Sequence, residues 1–346
     1  MGTISVCMIV KNEGAVIYKT LQTIKELFDE IIIVDTGSTD NTFGKIEEFI
    51  SLEEGLKIKF HQFEWCDDYS AARNYSYSLA TCDYITWWDA NDVPGVKFKD
   101  IIQDIRDDKY HGIQMFCIPT VKKFNPDGSI KKWVQNDRII RKDIFYSWQC
   151  PVHEYLIYKD VMDLKNSSLV VTFSPLECRI ESNSGSEDTL SRVELYNRLI
   201  ERGYEFTGHD YYFYIVDLLD SEFYTDVIKY INLGCSKDYS IYELGYFVLM
   251  YRHINENYRH LHYLMPYIDI ILLLLRHGMC DAEVSCWFGD YLLNKGSVDG
   301  ALIWYNNAMD NHLVGADGIV ADYYRYEYPS NQIHNIMEFK AKAKLN

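Results

Sequence analysis

The sequence has few basic residues, and this shortage limits the partners that it can bind. Of its 346 residues, 34 are lysine or arginine and 51 are aspartate or glutamate, which gives a net charge of -17 at pH 7. A protein that wraps nucleic acid needs a dense basic surface to neutralise phosphates. The composition excludes that class, so any phosphate group must be bound locally, by a metal ion or by a few arginines.

Long apolar runs and paired cysteines are also missing. The longest apolar run in the second half, residues 270–275, is too short to span a membrane. No basic segment followed by an apolar core marks a secretion signal. The nine cysteines include no CxxC pair and fall within predicted strands and helices, which is typical of buried thiols in a reducing compartment. We therefore expect a cytoplasmic protein without a transmembrane segment.

The length and the balance of residues predict two folded domains. A single core rarely extends over 346 residues, and 48% apolar with 25% charged residues is typical of folded proteins. The polar segment 181–188 is the best linker in the chain. We place the first domain at 1–180 and the second at 189–346.

Apolar runs alternate with helical patterns through the first 90 residues. The runs at 4–10, 31–34, 56–60 and 84–89 are typical of buried strands, and the segments between them carry apolar residues at helical spacing. This alternation predicts right-handed crossovers and a mainly parallel sheet. The turn sequence at 125–128 lies between two further apolar runs and predicts an antiparallel hairpin.

Polar residues follow three of these predicted strands. The segments 11–13, 35–40 and 89–92 come directly after a strand. Because the carboxyl ends of parallel strands meet at one edge of a sheet, these segments predict a binding edge. Asn12 is also placed to cap the helix that follows the first strand. The last segment holds two aspartates and an asparagine within four positions, a set that suits one hard divalent cation.

The second half of the chain is predicted to be helical throughout. It contains most of the 29 tyrosines, which we expect to pack between helices rather than bind a ligand. The clearest unit is a helix pair at 282–309, with small residues at Gly289, Ala301 and Ala308. Small residues let antiparallel helices approach closely, which is typical of tetratricopeptide-like repeats. An irregular helical bundle is the alternative, because the spacing of the earlier pairs drifts.

Five segments together resemble glycosyltransferase family 2. They are SVCMIVKNE at 5–13, IVDTGSTD at 33–40, WCDDYSAARN at 65–74, WDAND at 88–92 and VHE at 152–154. More closely, they resemble the branch in which a GT-A domain precedes tetratricopeptide-like helices. The resemblance implies an α/β fold with a Rossmann-like, mainly parallel GT-A sheet, followed by an all-α helical-repeat domain.

The resemblance also implies a sugar nucleotide, usually a UDP-sugar, bound across the carboxyl edge of the sheet. The residues expected to bind it are Val10, Asp35, Thr36, Arg73, Asp89 and Ala90. Arg73 presents a planar fork of donors that suits a diphosphate or a ribose. Arg138 and Arg141 are further candidates for offsetting the diphosphate charge, with surface roles as the alternative.

The acidic segment departs from the usual family pattern, Asp-Ala-Asp. Asn91 stands where the second aspartate is usual. An amide oxygen can ligate Mn²⁺ or Mg²⁺, but it brings no charge and holds the ion more weakly. The candidate metal ligands are therefore Asp89 and Asn91, with Asp92 or His153 to supply the missing ligand.

Inverting sugar transfer needs a base that takes a proton from the acceptor, and a positioned carboxylate suits this role. Glu154 is the first choice and Asp137 the second. The resemblance thus implies a metal-dependent, inverting hexosyltransferase. It would move a hexose, with glucose as the first candidate, from a UDP-sugar to a saccharide, lipid-linked or peptide acceptor.

Two other functions fit parts of the sequence. A catalytically weak domain, disabled at Asn91, would bind sugar nucleotides while the helical repeats bind a partner or a second copy of the chain. A nucleotidyltransferase would need a glycine-rich basic loop after the first strand. Residues 11–14 contain a single glycine, which is too few for such a loop. Turnover of a UDP-sugar separates the first of these from the transferase.

Overall fold

The chain divides into two compact units, Met1–Asp188 and Thr189–Asn346. A computed structural model describes residues 2–95, 97–159, 169–182, 189–258, 267–310 and 326–343. Most of the predicted linker, 183–188, lies outside the described residues. Among the described residues, every strand lies in the first unit and the second unit is helical, so the predicted order of an α/β fold followed by an all-α fold is confirmed.

Eleven strands are present among the described residues of the first unit. They are β1 (Ile4–Val10), β2 (Glu30–Asp35), β3 (Lys57–Gln62), β4 (Tyr84–Trp87), β5 (Asp92–Pro94), β6 (Met115–Phe124), β7 (Ile130–Arg141), β8 (Phe145–Gln149), β9 (Tyr155–Tyr158), β10 (Val170–Thr172) and β11 (Ile180–Ser182). Nine form one mixed sheet in the order β3-β2-β1-β4-β7-β6-β11-β5, with β10 paired to β6. The other two, β8 and β9, form a separate antiparallel ribbon.

The parallel half of the sheet is the predicted Rossmann-like part. The strands β3, β2, β1 and β4 run parallel, and the helices that connect them are α1 (Ile17–Ile24), α2 (Thr42–Leu52) and α3 (Tyr69–Ser78). Side chains alternate along β1, so that Val6 and Met8 pack in one core with α1 and α2, whereas Cys7 packs in the opposite core with α3. Both faces are covered, as apolar strands of a parallel sheet require.

The antiparallel half begins where β7 pairs with β4. The predicted hairpin is present as β6 and β7, and its turn closes through a hydrogen bond from the Gly128 amide to the Asn125 carbonyl (2.9 Å). A further helix, α4 (Phe98–Arg106), packs its apolar side chains in the core shared with α1. The carboxyl edge of the parallel strands therefore borders a β-rich segment.

The second unit consists of helices in its described part. They are α5 (Thr189–Glu201), α6 (Gly208–Asp220), α7 (Tyr224–Cys235), α8 (Ile241–Asn257), α9 (Tyr267–Arg276), α10 (Ala282–Asn294), α11 (Val298–Asp310) and α12 (Tyr328–Ala343). Two of them begin with reciprocal capping boxes, Thr207 with Asp210 and Ser240 with Glu243. None of the helices in the described part of the chain is long and apolar enough to cross a membrane.

The helix pair that motivated the tetratricopeptide-like interpretation is present as α10 and α11. A Cβ atom at Gly289 would lie 2.7 Å from the ring of Tyr305, so the glycine permits the close approach. Tyr305 is fully buried, and its hydroxyl donates to Asp290 (2.6 Å). Tyrosines thus pack between helices here, as the sequence predicts.

Candidate active site

The ends of β1 and β2 form one side of the carboxyl edge. Val10 lies opposite Asp35 in the sheet, and the Thr36 amide and hydroxyl both donate to the Val10 carbonyl (2.9 and 3.2 Å). The Asp35 carboxylate accepts hydrogen bonds from the amides of Gly37 (2.9 Å) and Ser38 (2.8 Å). Gly37 has a φ of 101°, which a glycine adopts without strain. The predicted nucleotide-binding residues of these strands therefore build a tight, buried turn.

Asn12 links the loops after β1 and β2. The sequence predicts a helix cap, and this prediction is wrong, because α1 begins after Val16 without a side-chain cap. The Asn12 side-chain oxygen instead accepts from the amides of Thr39 (2.7 Å) and Asp40 (3.3 Å). Asn12 itself has a φ of 57°, a left-handed conformation that asparagine tolerates better than most residues. The side chain thereby fixes one loop against the other.

Arg73 joins two of the predicted site residues. Its side chain is only 10% exposed, and its Nε donates to Glu154 (2.6 Å) while Nη2 donates to Asp89 (3.3 Å). The guanidinium lies 5.1 Å from the ring of Trp87 and 5.0 Å from that of Trp148. Burial alone would lower the pKa of Arg73, but the two carboxylates outweigh it and raise the pKa above its ordinary value. Arg73 is a fixed cation between two carboxylates.

Local contacts of α3 bring Glu154 to Arg73. The Asn74 side chain donates to the Trp148 carbonyl (2.9 Å) and accepts from the Trp148 amide (2.8 Å). At the start of the same helix, the Tyr69 amide donates to the Pro151 carbonyl (3.0 Å). The end of β8 and the start of the loop between β8 and β9 are thus tied to α3. The Val-His-Glu segment, residues 152–154, forms the end of this loop.

The turn after β4 separates its two aspartates. The Asp92 amide donates to the Asp89 carbonyl (3.0 Å), and the Asp89 amide donates to the Asp92 carboxylate (3.3 Å). The Asp89 side chain is 41% exposed, whereas that of Asp92 is 1% exposed and accepts from Arg138. Burial raises the pKa of Asp92 although Arg138 opposes this effect. Asp92 therefore faces the interior, and the structure does not place it with the exposed candidate ligands.

Arg138 and Arg141 do not lie where a diphosphate role requires. Arg138 is fully buried beside Asp92. Arg141 pairs with Asp143 and lies opposite Tyr84, the first residue of β4, at the amino edge of the parallel strands. A fully buried, paired guanidinium and one at the opposite edge are not exposed to a ligand at the carboxyl edge. The expectation that they offset the diphosphate charge is therefore wrong for direct contact: Arg141 has the surface role given as the alternative, and Arg138 is buried.

Asp137, the second candidate for the base, makes different contacts from Glu154. Its carboxylate accepts from the Tyr158 hydroxyl (2.7 Å) and from the Cys117 thiol (3.3 Å). Burial, followed by the charge of Asp137, raises the pKa of Tyr158 above its ordinary value. Asp137 thus stabilises the contact of β7 with β9, whereas Glu154 lies next to Arg73.

The remaining predicted residues lie on the two loops. The Ala90 carbonyl accepts from the Thr20 hydroxyl (2.5 Å), which anchors the turn after β4 on α1. Asn91 and His153 are both half-buried, and His153 has a φ of 54°. Sequence reasoning missed Glu13, whose pKa is raised by burial and then by repulsion from Asp89 and Asp40. Its position at the end of the first motif was the available signal.

The five motifs that carried the family resemblance all lie in the first unit, and three of them supply the Arg73, Asp89 and Glu154 contacts. The family model described as glycosyl transferase family 2 matches residues 5–160. Residues 5–160 form a glycosyl transferase family 2 domain. The fold that the resemblance implied, an α/β sheet domain followed by helices, is also the observed one.

Curated relatives match parts of this chain. A TPR repeat-containing protein of Synechococcus elongatus is 40% identical over 92 residues, which cover 27% of this chain and 21% of that protein. The SPbeta prophage-derived glycosyltransferase SunS of Bacillus subtilis is 38% identical over 92 residues, covering 26% and 20%. This chain thus spans about a fifth of the length of these two relatives.

Among solved structures, S. aureus TarS 1-349 in complex with UDP-GlcNAc aligns with a TM-score of 0.41 at 13% identity. The alignment covers 89% of this chain and 92% of that chain. A mannosyltransferase from Pyrobaculum calidifontis in complex with GDP-Man and Mn²⁺ aligns with a TM-score of 0.36 at 12% identity, covering 58% and 64%.

Proposed function

We propose that this chain is an inverting glycosyltransferase that moves a hexose, with glucose as the first candidate, from a UDP-sugar to a saccharide, lipid-linked or peptide acceptor. The observation that carries the proposal is the bridge from Arg73 to Asp89 and Glu154 within a family 2 domain. It places one cation between a carboxylate on the turn after β4 and a carboxylate on the loop between β8 and β9. We assign the sugar-nucleotide donor to the side of Asp89 and the sugar acceptor to the side of Glu154.

The donor side is assigned to the ends of β1, β2 and β4. We assign the uridine to Val10, Asp35 and Thr36, which form the turn at the end of the parallel strands. The diphosphate is assigned to the region of Arg73 and Asp89, where a guanidinium suits phosphate oxygens. Ligands bind at this edge in open α/β sheets generally.

The acceptor side is assigned to Glu154. In the proposed reaction its carboxylate takes the proton of the acceptor hydroxyl, whose oxygen forms a bond to the anomeric carbon. The bond from that carbon to the diphosphate breaks on the opposite face, and UDP leaves with the electron pair. Arg73 orients Glu154 through the 2.6 Å hydrogen bond, so the base is held in one position before the acceptor arrives.

The side chains at this edge suit a divalent cation. Asp89 and Asn91 offer oxygen ligands and His153 a nitrogen, a set compatible with Mn²⁺ or Mg²⁺. Burial, followed by repulsion from Asp89 and Asp40, raises the pKa of Glu13, and a cation held nearby would relieve this repulsion. We therefore propose Asp89, Asn91 and His153 as the residues that would hold it, without Asp92, which faces Arg138. When bound, the ion would offset the charge of the departing diphosphate.

A second function, a catalytically weak sugar-nucleotide-binding protein, is favoured by one feature of this edge. Asn91 removes a charge from the metal site, and Arg73 already contacts both carboxylates. In that case the helical second unit would supply the activity by binding a partner or a second copy of the chain. Under the first proposal the same unit would contribute to acceptor choice.

UDP release separates the two proposals. Purified protein is incubated with UDP-glucose and other common UDP-sugars, with and without Mn²⁺, and free UDP is measured. Release that depends on Mn²⁺ supports the transferase, whereas UDP binding without release from any UDP-sugar supports the binding protein. Arg73→Ala should weaken UDP binding by roughly 1–3 kcal/mol if it removes a charged hydrogen bond. Arg106→Ala, which breaks the pair with Asp29 at the amino edge, is the matched control.

A further inference from the structure

Arg138 is an unusual residue for the interior of a sheet. Its side chain is fully buried. In the pairing of β6 with β7, Phe116 lies opposite Ile139 and Cys117 opposite Asp137, so Arg138 is the extra residue of a β-bulge. Bulges redirect side chains and occur often beside active sites.

The Arg138 side chain contacts three neighbouring residues. Its Nη2 donates to the carboxylate of Asp92, and the guanidinium lies 3.5 Å from the ring of Trp87 and 5.2 Å from that of Trp88. The two tryptophans are consecutive and pack in opposite cores of the sheet. Arg138 therefore contacts the last part of β4 from which the turn with Asp89 departs.

Two paths connect Arg138 to the proposed site. Through Asp92 it reaches Asp89, because the Asp92 carboxylate accepts from the Asp89 amide (3.3 Å). Through Trp87 it reaches Arg73, whose guanidinium lies 5.1 Å from the same ring. Both paths end at the bridge between the proposed donor and acceptor sides.

Stability alone does not account for this ion pair. Among the described residues, none accepts a hydrogen bond from Nε or Nη1 of Arg138 and none donates one to Oδ1 of Asp92, although all three atoms are buried. An incompletely satisfied buried pair contributes little net stability, and apolar replacements of similar size are often neutral or stabilising. What the pair does supply is a fixed conformation of the turn at residues 89–92.

We propose that Arg138 is a positioning residue that sets the turn bearing Asp89 and Asn91 through Asp92, and the orientation of Arg73 through Trp87. The catalytic consequence rests on the proposed transferase function, whereas the positioning of the turn does not. Replacing a residue that orients a metal-binding side chain through a hydrogen bond typically lowers metal affinity or activity by roughly 10–100-fold.

Two variants and one control test the proposal. Arg138→Lys keeps the buried charge but loses the planar fork. The double variant R138M/D92N removes both charges, which avoids leaving Asp92 buried without its partner. Arg106→Met removes another arginine–aspartate pair of the first unit, that with Asp29 (3.2 Å), at the opposite edge of the sheet. Each is compared with the unaltered protein for UDP release, for hydrogen exchange of the peptide covering 88–95, and for unfolding in urea.

We expect Arg138→Lys and R138M/D92N to lower kcat/KM by roughly 10–100-fold. Amide exchange at residues 89–92 should rise in both, and Arg106→Met should change neither quantity. Folded variants that keep the original kcat/KM and exchange would overturn the proposal. An equal loss of activity in Arg106→Met at equal loss of stability would also overturn it. If the unaltered protein releases no UDP, the proposed function fails, and the exchange comparison alone decides whether Arg138 positions the turn.

Discussion

The two edges of the parallel sheet differ in how many hydrogen-bond donors and cations surround each carboxylate. At the amino edge, the fully buried Glu30 carboxylate accepts from the Ser5 hydroxyl (2.6 Å) and the Thr81 amide (2.8 Å), and it pairs with Lys57 (2.9 Å) and Lys59 (3.0 Å). The lysines sit on β3, directly beside the start of β2. One carboxylate thus has several donors.

At the carboxyl edge the ratio of donor groups to carboxylates is reversed. One guanidinium, that of Arg73, serves both Asp89 and Glu154, and Glu13 is repelled by Asp89 nearby. The amino edge satisfies its charge in full, which stabilises the fold. The carboxyl edge leaves negative charge undercompensated, and a cation or a substrate can supply what is missing. The difference indicates which edge is adapted to stability and which to ligand chemistry.

The largest expected effect comes from Glu154→Gln. It removes the proposed base but keeps the shape of the side chain, so kcat should fall by roughly 10²–10⁴-fold. The change also removes one charge of the nearly buried pair with Arg73, so the free energy of unfolding should fall, and kcat is compared where both proteins are folded. Initial rates of UDP release and urea unfolding measure the two quantities. Asp137→Asn is the comparison, and a larger loss of kcat there would reverse the assignment of the base.

Sequence patterns predict the parallel strands because burial on both faces requires continuous apolar runs. They predict the hairpin because a segment such as Asn-Pro-Asp-Gly strongly favours a turn over a helix or a strand. They also predict that Asp89 lies at the carboxyl edge, because strand ends in a parallel sheet converge. The positions of Arg73, on α3, and of Glu154, on the loop between β8 and β9, were implied by the family resemblance alone. Direction of side chains is a different matter. Asp92 and Arg138 carry charges that usually favour the surface, yet both side chains are buried as a pair, and Arg138 lies at a bulge in β7.

The sequence also does not predict which groups Asn12 binds or which strands β11 pairs with, for a related reason. Asn12 has the chemistry of a helix cap, and its left-handed backbone instead directs it to the loop of Thr39 and Asp40. The short strands near the end of the first unit pair across long sequence separations, as the three-residue β11 does with both β6 and β5. Local patterns do not encode such distant contacts.

Glu30→Gln is the matched change at the amino edge and should have the opposite outcome. Burial disfavours the ionised carboxylate, but the hydrogen bond from Ser5 and the pairing with Lys57 and Lys59 prevail and lower the pKa of Glu30 to about 2. The difference from the ordinary value of 4.5 corresponds to about 3 kcal/mol of stability at pH 7. Urea unfolding at pH 7 should show this loss, while kcat for UDP release stays unchanged.

The sign of the pH dependence follows from the lowered pKa of Glu30. The stabilisation is complete above the unfolded-state value, near 4.5, and is lost as the pH falls towards about 2. The unfolding free energies of the unaltered protein and Glu30→Gln should therefore differ most at pH 5–7 and converge between roughly pH 4 and 2. A difference that stays constant over this range would show that packing, and not ionisation, accounts for the loss.

The smallest expected effect is a gain at the carboxyl edge from Asn91→Asp. The change adds a carboxylate where the proposed metal site has only one, and ligand charge strengthens binding of a hard divalent cation. Mn²⁺ should bind roughly three- to tenfold more tightly, about 1 kcal/mol. Without the ion, the added charge lies near Asp89 and Glu13, so the metal-free variant should be slightly less stable. Calorimetric titration of Mn²⁺ into both forms, with urea unfolding in a chelator, measures both changes. Equal Mn²⁺ affinity would place Asn91 outside the metal site, and Asp89 would then be the carboxylate that carries the coordination.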